Sequence, residues 1–248
     1  MPPRRTERGR RPPTRPAKPK PPVRAVHPPV DPAEVDADFA AFLVLLEARG
    51  QQFSPEALDM IRRYGDQVVS RAGLLNLISP GDRVRLFTRH IAECLTPELV
   101  RVAGEAGSLV DIGSGAGLPG LPLAIVSPGL KVLLVEPRVR RAQFLEAASL
   151  SLGLGDRVEV FQGSAERLMD ASKGTLGAGL ATARAVDRLE NVWPWALNFL
   201  RPGGHLAVFR SPGDVESELS GLKPPLPSAS RTTPMPGQPR QLLFLTRP

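Results

Sequence analysis

SLVDIGSGAGLPG, residues 108–120, is the stretch that decides the fold. An apolar run ends in Asp111, and Gly113, Gly115 and Gly117 follow at two-residue spacing. A chain that leaves a strand and turns at once into a helix needs positive φ and close backbone approach, which glycine supplies. The helix expected near Pro119 points its positive N-terminus at the same place. Short apolar runs then alternate with helical patterns. Strands are expected at Leu109–Ile112, Lys131–Val135, Val158–Phe161, Leu180–Ala183, His205–Phe209 and Leu242–Leu245. Helices are expected near 119–127, 138–152, 164–171 and 187–199. This alternation predicts an α/β fold, a Rossmann-like doubly wound sheet with its ligand site beyond the carboxyl ends of the strands.

Two ligand classes compete for such a loop. Residues 115–120 match G-x-G-x-x-G formally. The first glycine after the strand is Gly113, however, and in that register the last position is Leu118. Asp111 would also repel a pyrophosphate. An acid suits S-adenosylmethionine better, because that ligand carries a sulfonium and an ammonium and no phosphate. Glu136 ends the second strand, where a carboxylate can accept both ribose hydroxyls of an adenosyl group. A nicotinamide enzyme uses an acid in the same way, so Glu136 alone does not separate the classes. Pro202-Gly203-Gly204 predicts a tight turn before the fifth strand. In this order and spacing the three elements favour an adenosylmethionine-dependent methyltransferase.

The remainder of the chain frames this core. The 248 residues carry 32 Lys+Arg against 25 Asp+Glu. Residues 1–30 hold nine basic residues, one acid and ten of the 28 prolines, leaving 23 basic and 24 acidic residues in the other 218. Residues 1–35 therefore read as a disordered, basic, Pro-rich tail, either an RNA-binding arm or a solvating leader. Residues 36–248 read as one methyltransferase domain: a helical part over 36–107, then the sheet over 108–248. Helices are expected from Asp36 to Gly50, from Pro55 to Arg71 with Gly73 as the stop, and over 82–97. Residues 211–240, rich in Pro, Ser and Gly, carry no readable pattern.

Composition excludes several classes. A single cysteine, Cys94, rules out an intramolecular disulfide framework or a Cys-cluster metal site, and in a helical pattern it reads as core. His27, His90 and His205 are too widely spaced for a His-rich metal site. The longest apolar run, Phe39–Leu46, is too short to span a bilayer, and no apolar segment follows the charged N-terminus as in a secretory signal. A cytoplasmic protein with no metal and no membrane partner is expected.

From Phe39 to Phe209 the chain resembles the RsmG/GidB family, the small-subunit rRNA guanine-N7 methyltransferases. The matching pieces are Asn76-Leu77, Arg89-His90-Ile91 with Leu95, and DIGSGAGLPGLPLAIVSP at 111–128. They continue with Arg140-Arg141 and Phe144-Leu145, Ser164-Ala165-Glu166, Arg184-Ala185, and LRPGGHLAVFR at 200–210. Arg71, Ala183 and Arg210 stand where the family usually has tryptophan, serine and lysine. The resemblance implies a class I methyltransferase fold behind an N-terminal helical segment. It implies methylation of N7 of a guanine in the 530 loop of 16S rRNA, free or in the 30S subunit.

By the resemblance, Gly113, Leu118, Ala165, Glu166 and Arg184 contact S-adenosylmethionine. Asp111, Gly115, Gly117 and Glu136 join them by position in the loop and strand. His90, Arg138, Arg140, Arg141 and Arg210 are candidates for the RNA side. Guanine N7 has a free in-plane lone pair and no proton, so direct in-line transfer needs positioning and no general base. No catalytic residue is therefore expected. The competing readings are an adenosylmethionine enzyme acting on a small molecule or protein, a nicotinamide oxidoreductase, and a binding protein that has kept the fold without catalysis.

Overall fold

The computed structural model describes residues 30–172, 176–235 and 240–248. Nearly all of the basic tail, residues 1–29, lies outside the described residues.

The first helix, α1 (Pro32–Ala48), begins four residues before the expected Asp36. The assignment of 32–35 to the tail is thereby corrected. Asp31 caps the helix by accepting from the Ala33 N–H, and Pro32 takes the first turn, where a missing N–H costs nothing. Val35 is already buried. Ser54 caps α2 (Pro55–Leu75) in the same way. This helix runs through Gly73 and stops at Asn76, which takes the left-handed conformation. A single glycine weakens a helix by roughly 1 kcal/mol, which a helix packed through Ile61, Tyr64 and Val68 tolerates.

The helix expected over 82–97 is instead three pieces. A 3-10 turn, Pro80–Arg85, leads into a π-helical turn, Leu86–Ile91, and then α3 (Ala92–Cys94). The buried carboxylate of Asp38 on α1 explains the break. It accepts from the Phe87 N–H at 2.7 Å, the Thr88 N–H at 3.2 Å and the Thr88 hydroxyl. Those donors are thereby held by a residue about fifty positions away instead of by an ordinary α-helical ladder. Helix α4 (Pro97–Ala106) follows and delivers the chain to the sheet.

The sheet and its helices run β1 (Ser108–Ile112), α5 (Gly120–Val126), β2 (Lys131–Glu136), α6 (Val139–Ser151), β3 (Val158–Gln162), α7 (Ala165–Ser172), β4 (Ala178–Ala183), α8 (Leu189–Phe199) and β5 (Leu200–Arg210). A short helix α9 (Val215–Ser220) and strands β6 (Ala229–Pro234) and β7 (Gln241–Thr246) complete it. The strand order is β3-β2-β1-β4-β5-β7-β6. The first five strands are parallel, and β7 pairs antiparallel to both β5 and β6. One core layer joins α1, α2, α4, α5 and α6 to one face of the sheet. A second layer, with Trp193 and Phe199 at its centre, packs α7, α8 and α9 on the other. No helix among the described residues is long and apolar enough to cross a membrane.

Pro202-Gly203-Gly204 does not form a turn ahead of β5. It is a bulge within that strand, where the register against β4 shifts between Ala178 and Leu180. Gly203 has φ +75°, and the bulge is tied to the C-terminus by Gly203 N–H to the Arg247 carbonyl and Arg247 N–H to the Gly204 carbonyl.

Candidate active site at the carboxyl edge of the sheet

The sequence order reverses between β1 and β4, so a crevice opens beyond their carboxyl ends. A cavity of about 260 Å³ lies there. Its walls include Gly113, Gly115 and Leu118 from the glycine loop, Arg184 from the end of β4, and Asp82 and His90 from the helical segment. Arg141 and Arg240 also line it.

The loop is held from several sides. The Gly113 and Ser114 N–H groups donate to the Val135 carbonyl at 2.8 and 3.0 Å, and the Ser114 hydroxyl donates to the Asp111 carbonyl. Tyr64 on α2, fully buried, donates its hydroxyl to the Ala116 carbonyl at 2.8 Å. No local pattern marks Tyr64, because its partner is 52 residues away.

Two glycines of the loop do different work. Gly115 has φ +58° and lines the cavity, with no atom closer than 3.8 Å to where a Cβ would stand. Gly117 has φ +96°, and a Cβ there would come within 2.6 Å of the Leu121 side chain. Gly117 therefore serves the packing of α5 and α6, and it is not among the residues that line the cavity.

The acids are also differentiated. Asp111 is 1% exposed. Its carboxylate accepts from the Thr182 hydroxyl at 2.7 Å and from the Gly120 N–H at 3.2 Å. Burial raises its pKa to about 6, although those hydrogen bonds pull the other way. Asp111 thus shapes the loop and caps the start of α5, and it is not among the cavity's lining residues. Glu136 is buried at the end of β2 and accepts from the Gly115 N–H and the Arg138 N–H, both at 2.9 Å. Each oxygen keeps a further lone pair, so capacity for two hydroxyls remains. Ala165 and Glu166 open α7, beside Glu136 through the Gly163 N–H to the Glu136 carbonyl. Glu136, Ala165 and Glu166 stand on the same edge of the sheet but outside the 260 Å³ cavity.

The basic candidates divide sharply. Arg184 is buried and donates to Glu93 at 2.7 Å, to His90 Nδ1, and at 3.5 Å to the His90 carbonyl. Because His90 Nδ1 accepts, its proton sits on Nε2, 3.2 Å from Asp82 Oδ2 but without hydrogen-bond alignment. Burial and the Arg184 charge push the His90 pKa down to about 4, so the ring is neutral at pH 7. Asp82 is bound by Ser79 and Arg89, each at 2.6 Å. Burial opposes its ionisation, but these partners and His90 hold its pKa below the usual value.

Arg141 donates to the Leu75 and Asn76 carbonyls and so caps the C-terminus of α2. Arg138 and Arg140 are exposed. Arg210 is 8% exposed and donates to Glu218 at 2.6 Å and to the Asp187 carbonyl at 3.0 Å. Its expected RNA contact is corrected: a buried guanidinium needs partners, and this one anchors α9 and the chain after β4. Cys94 is buried and donates to the His90 carbonyl, and burial raises its pKa to about 12. That protonated thiol is core, not a nucleophile.

The strand order and the glycine loop define the class I methyltransferase fold. A solved structure described as "a putative O-methyltransferase" from Klebsiella pneumoniae shares that fold, with TM-score 0.55 and 17% identity over 86% of this chain and 99% of that one. The family model for rRNA small subunit methyltransferase G, GidB, matches residues 57–221, and the chain belongs to that family. The protein of that name from Kineococcus radiotolerans is 39% identical over 167 residues, 67% of this chain and 63% of that protein. The one from Rhodococcus jostii is 36% identical over 187 residues, 75% of this chain and 76% of that protein. A third, from Frankia alni, is 38% identical, and the chain covers 61% of its length.

Proposed function

We propose that this protein is an S-adenosylmethionine-dependent methyltransferase acting on N7 of a guanine in the 530 loop of 16S rRNA. One observation carries the reading. The Gly113–Leu118 loop, inside the stretch matched by the rRNA small subunit methyltransferase G model, forms a wall of the cavity at the topological switch point. The loop fits the cofactor in two respects. Gly115 leaves its backbone open to a ligand, and Glu136, one loop away, keeps free lone pairs for ribose hydroxyls. Bound there, S-adenosylmethionine would supply an electrophilic methyl on a sulfonium, to be accepted by the N7 lone pair with the C–S bonding pair left on sulfur.

The chain's residues act by position. Arg184 is a fixed donor at the end of β4, neutralised by Glu93. His90 is neutral and presents Nε2–H beside Asp82. No residue need remove a proton, because N7 carries none. Asp111, Thr182 and Tyr64 hold the loop's shape and are positioning residues. The reading assigns the protein to the bacterial cytoplasm, where rRNA is made and assembled.

Transfer of labelled methyl from S-adenosylmethionine to 16S rRNA from a strain lacking this gene tests the proposal. Mass mapping should locate one N7-methylguanine in the 530 loop, absent from that strain and restored by the protein. A 530-loop guanine still methylated in the deletion strain would refute the assignment. Activity on a small molecule or protein, with none on free rRNA or on 30S subunits, would move it to another acceptor class.

A further inference from the structure

A body summing to nearly zero charge needs its cations concentrated somewhere to hold an RNA strand. The groove between α2 and α6 meets that need. Two contiguous hollows, of about 490 and 400 Å³, share Leu74, Leu75 and Arg140. Among the described residues no Asp or Glu lines either one, whereas Asp82 lines the neighbouring site cavity. Arg71 and Arg140 stand in the first hollow, Arg138 and Arg140 in the second. The side chains of Arg71, Arg138 and Arg140 have no hydrogen bond or ion pair among the described residues. By contrast, Arg62, Arg63, Arg101, Arg188 and Arg231 are all matched with carboxylates.

Apolar surface lies between these cations. Leu74 is 60% and Val139 50% exposed, the former in both hollows and the latter in the second. Arg141 lines both the second hollow and the site cavity, so the groove ends beside the proposed reaction site. Unpaired cations along a track, with apolar side chains between them, suit a single strand. Phosphates meet the guanidiniums while bases and riboses lie on the apolar surface. A wall of guanidiniums without carboxylates favours an anionic partner over a cationic one.

We infer that the α2–α6 groove is the track for the single-stranded rRNA flanking the target guanine, with Arg71, Arg138 and Arg140 on its phosphates. This rests on the rRNA methyltransferase reading above and names the surface that reading lacks.

The test is R71E/R140E, with R71A/R140A as a milder companion and R201E, an exposed arginine near the start of β5, as a control. Binding of a single-stranded 530-loop fragment is followed by fluorescence anisotropy across a potassium chloride series. R71E/R140E should weaken binding about tenfold or more. Both double variants should reduce the slope of log Kd against log salt by roughly 1.4, at about 0.7 per single-strand phosphate contact. R201E should keep the wild-type slope, and calorimetric binding of S-adenosylhomocysteine should be unchanged in every variant. A wild-type slope in both double variants, while the wild-type protein methylates 16S rRNA, overturns the groove and leaves the function standing. Wild-type protein that neither binds nor methylates rRNA overturns both. Weakened binding to 30S subunits with fragment binding intact would give the groove to a ribosomal protein and overturn the RNA track.

Discussion

Arg184 at the end of β4 is paired with Glu93 on α3 across 2.7 Å, with side-chain exposures of 8% and 2%. The pair links the helical segment to the sheet at the mouth of the site. Breaking a buried pair leaves an uncompensated charge and costs about 3–5 kcal/mol, whereas replacing both partners by apolar groups is often neutral. Glu93→Ala should therefore lose about 3–5 kcal/mol in urea unfolding. Glu93→Leu with Arg184→Met should recover most of that stability while losing methyl transfer. If Glu93→Ala unfolds at the wild-type midpoint, the pair is not what joins the two parts.

Asp111 and His90 predict opposing pH dependences. The pKa of Asp111 is raised to about 6 in the fold, so its contribution is fully present below pH 3.8 and is lost as pH rises through 6. His90 is lowered to about 4, so its contribution is present above pH 6.5 and is lost as pH falls through 4. Each shift corresponds to about 3 kcal/mol, and the two nearly cancel between pH 4 and 6. Stability of the wild-type protein should be almost flat there as far as these two groups decide it. Asp111→Asn should expose a rise in stability with pH, and His90→Gln a fall, in urea titrations at several pH values. Parallel pH profiles for the two variants would contradict both assignments.

Tyr64→Phe tests the strut beneath the glycine loop. The variant keeps the ring in the core and leaves the buried Ala116 carbonyl without its donor, at a cost of about 1–3 kcal/mol. Binding of S-adenosylhomocysteine should weaken a few fold through loss of loop order, with the RNA salt slope unchanged. Unaltered cofactor affinity would show that the loop keeps its shape without the strut.

Much of this architecture is written locally. All six expected strands form, because short apolar runs bounded by turn residues are a local signal. The loop at 113–120 is legible for the same reason: Asp111, the glycines and Pro119 lie within nine residues. Helix α4, by contrast, was not among the expected helices, and Thr96 at its N-cap position makes no side-chain capping bond.

What could not be read depends on distant partners. The π-helical turn needs Asp38, and Arg184 needs Glu93, 91 residues away. Arg210 looks like a solvated strand-end cation until α9 brings Glu218 against it. Strand β6 is polar and exposed along an edge, so it carries no alternation to find. Arg240 reaches the site cavity from the Pro-rich segment that gave no pattern.

Gly115 and Gly117 separate binding from packing, two residues apart in one loop. An alanine at Gly115 meets open space and costs only the left-handed backbone, about 1–2 kcal/mol. Its methyl group, however, stands on the surface proposed for the cofactor. Gly115→Ala should therefore fold with a modestly lowered melting temperature and lose S-adenosylhomocysteine binding by about tenfold or more, a loss of at least 1.4 kcal/mol. Gly117→Ala meets the Leu121 side chain at 2.6 Å and Leu145 at 3.0 Å, in a core that cannot give way cheaply. It should lose about 2–4 kcal/mol of stability, from overpacking together with the backbone cost. The fraction that remains folded should bind the cofactor nearly as the wild type does. Calorimetry and thermal unfolding on the same two proteins decide the matter. If Gly115→Ala binds normally, the cofactor does not lie on this loop, and the cavity at the switch point needs another occupant.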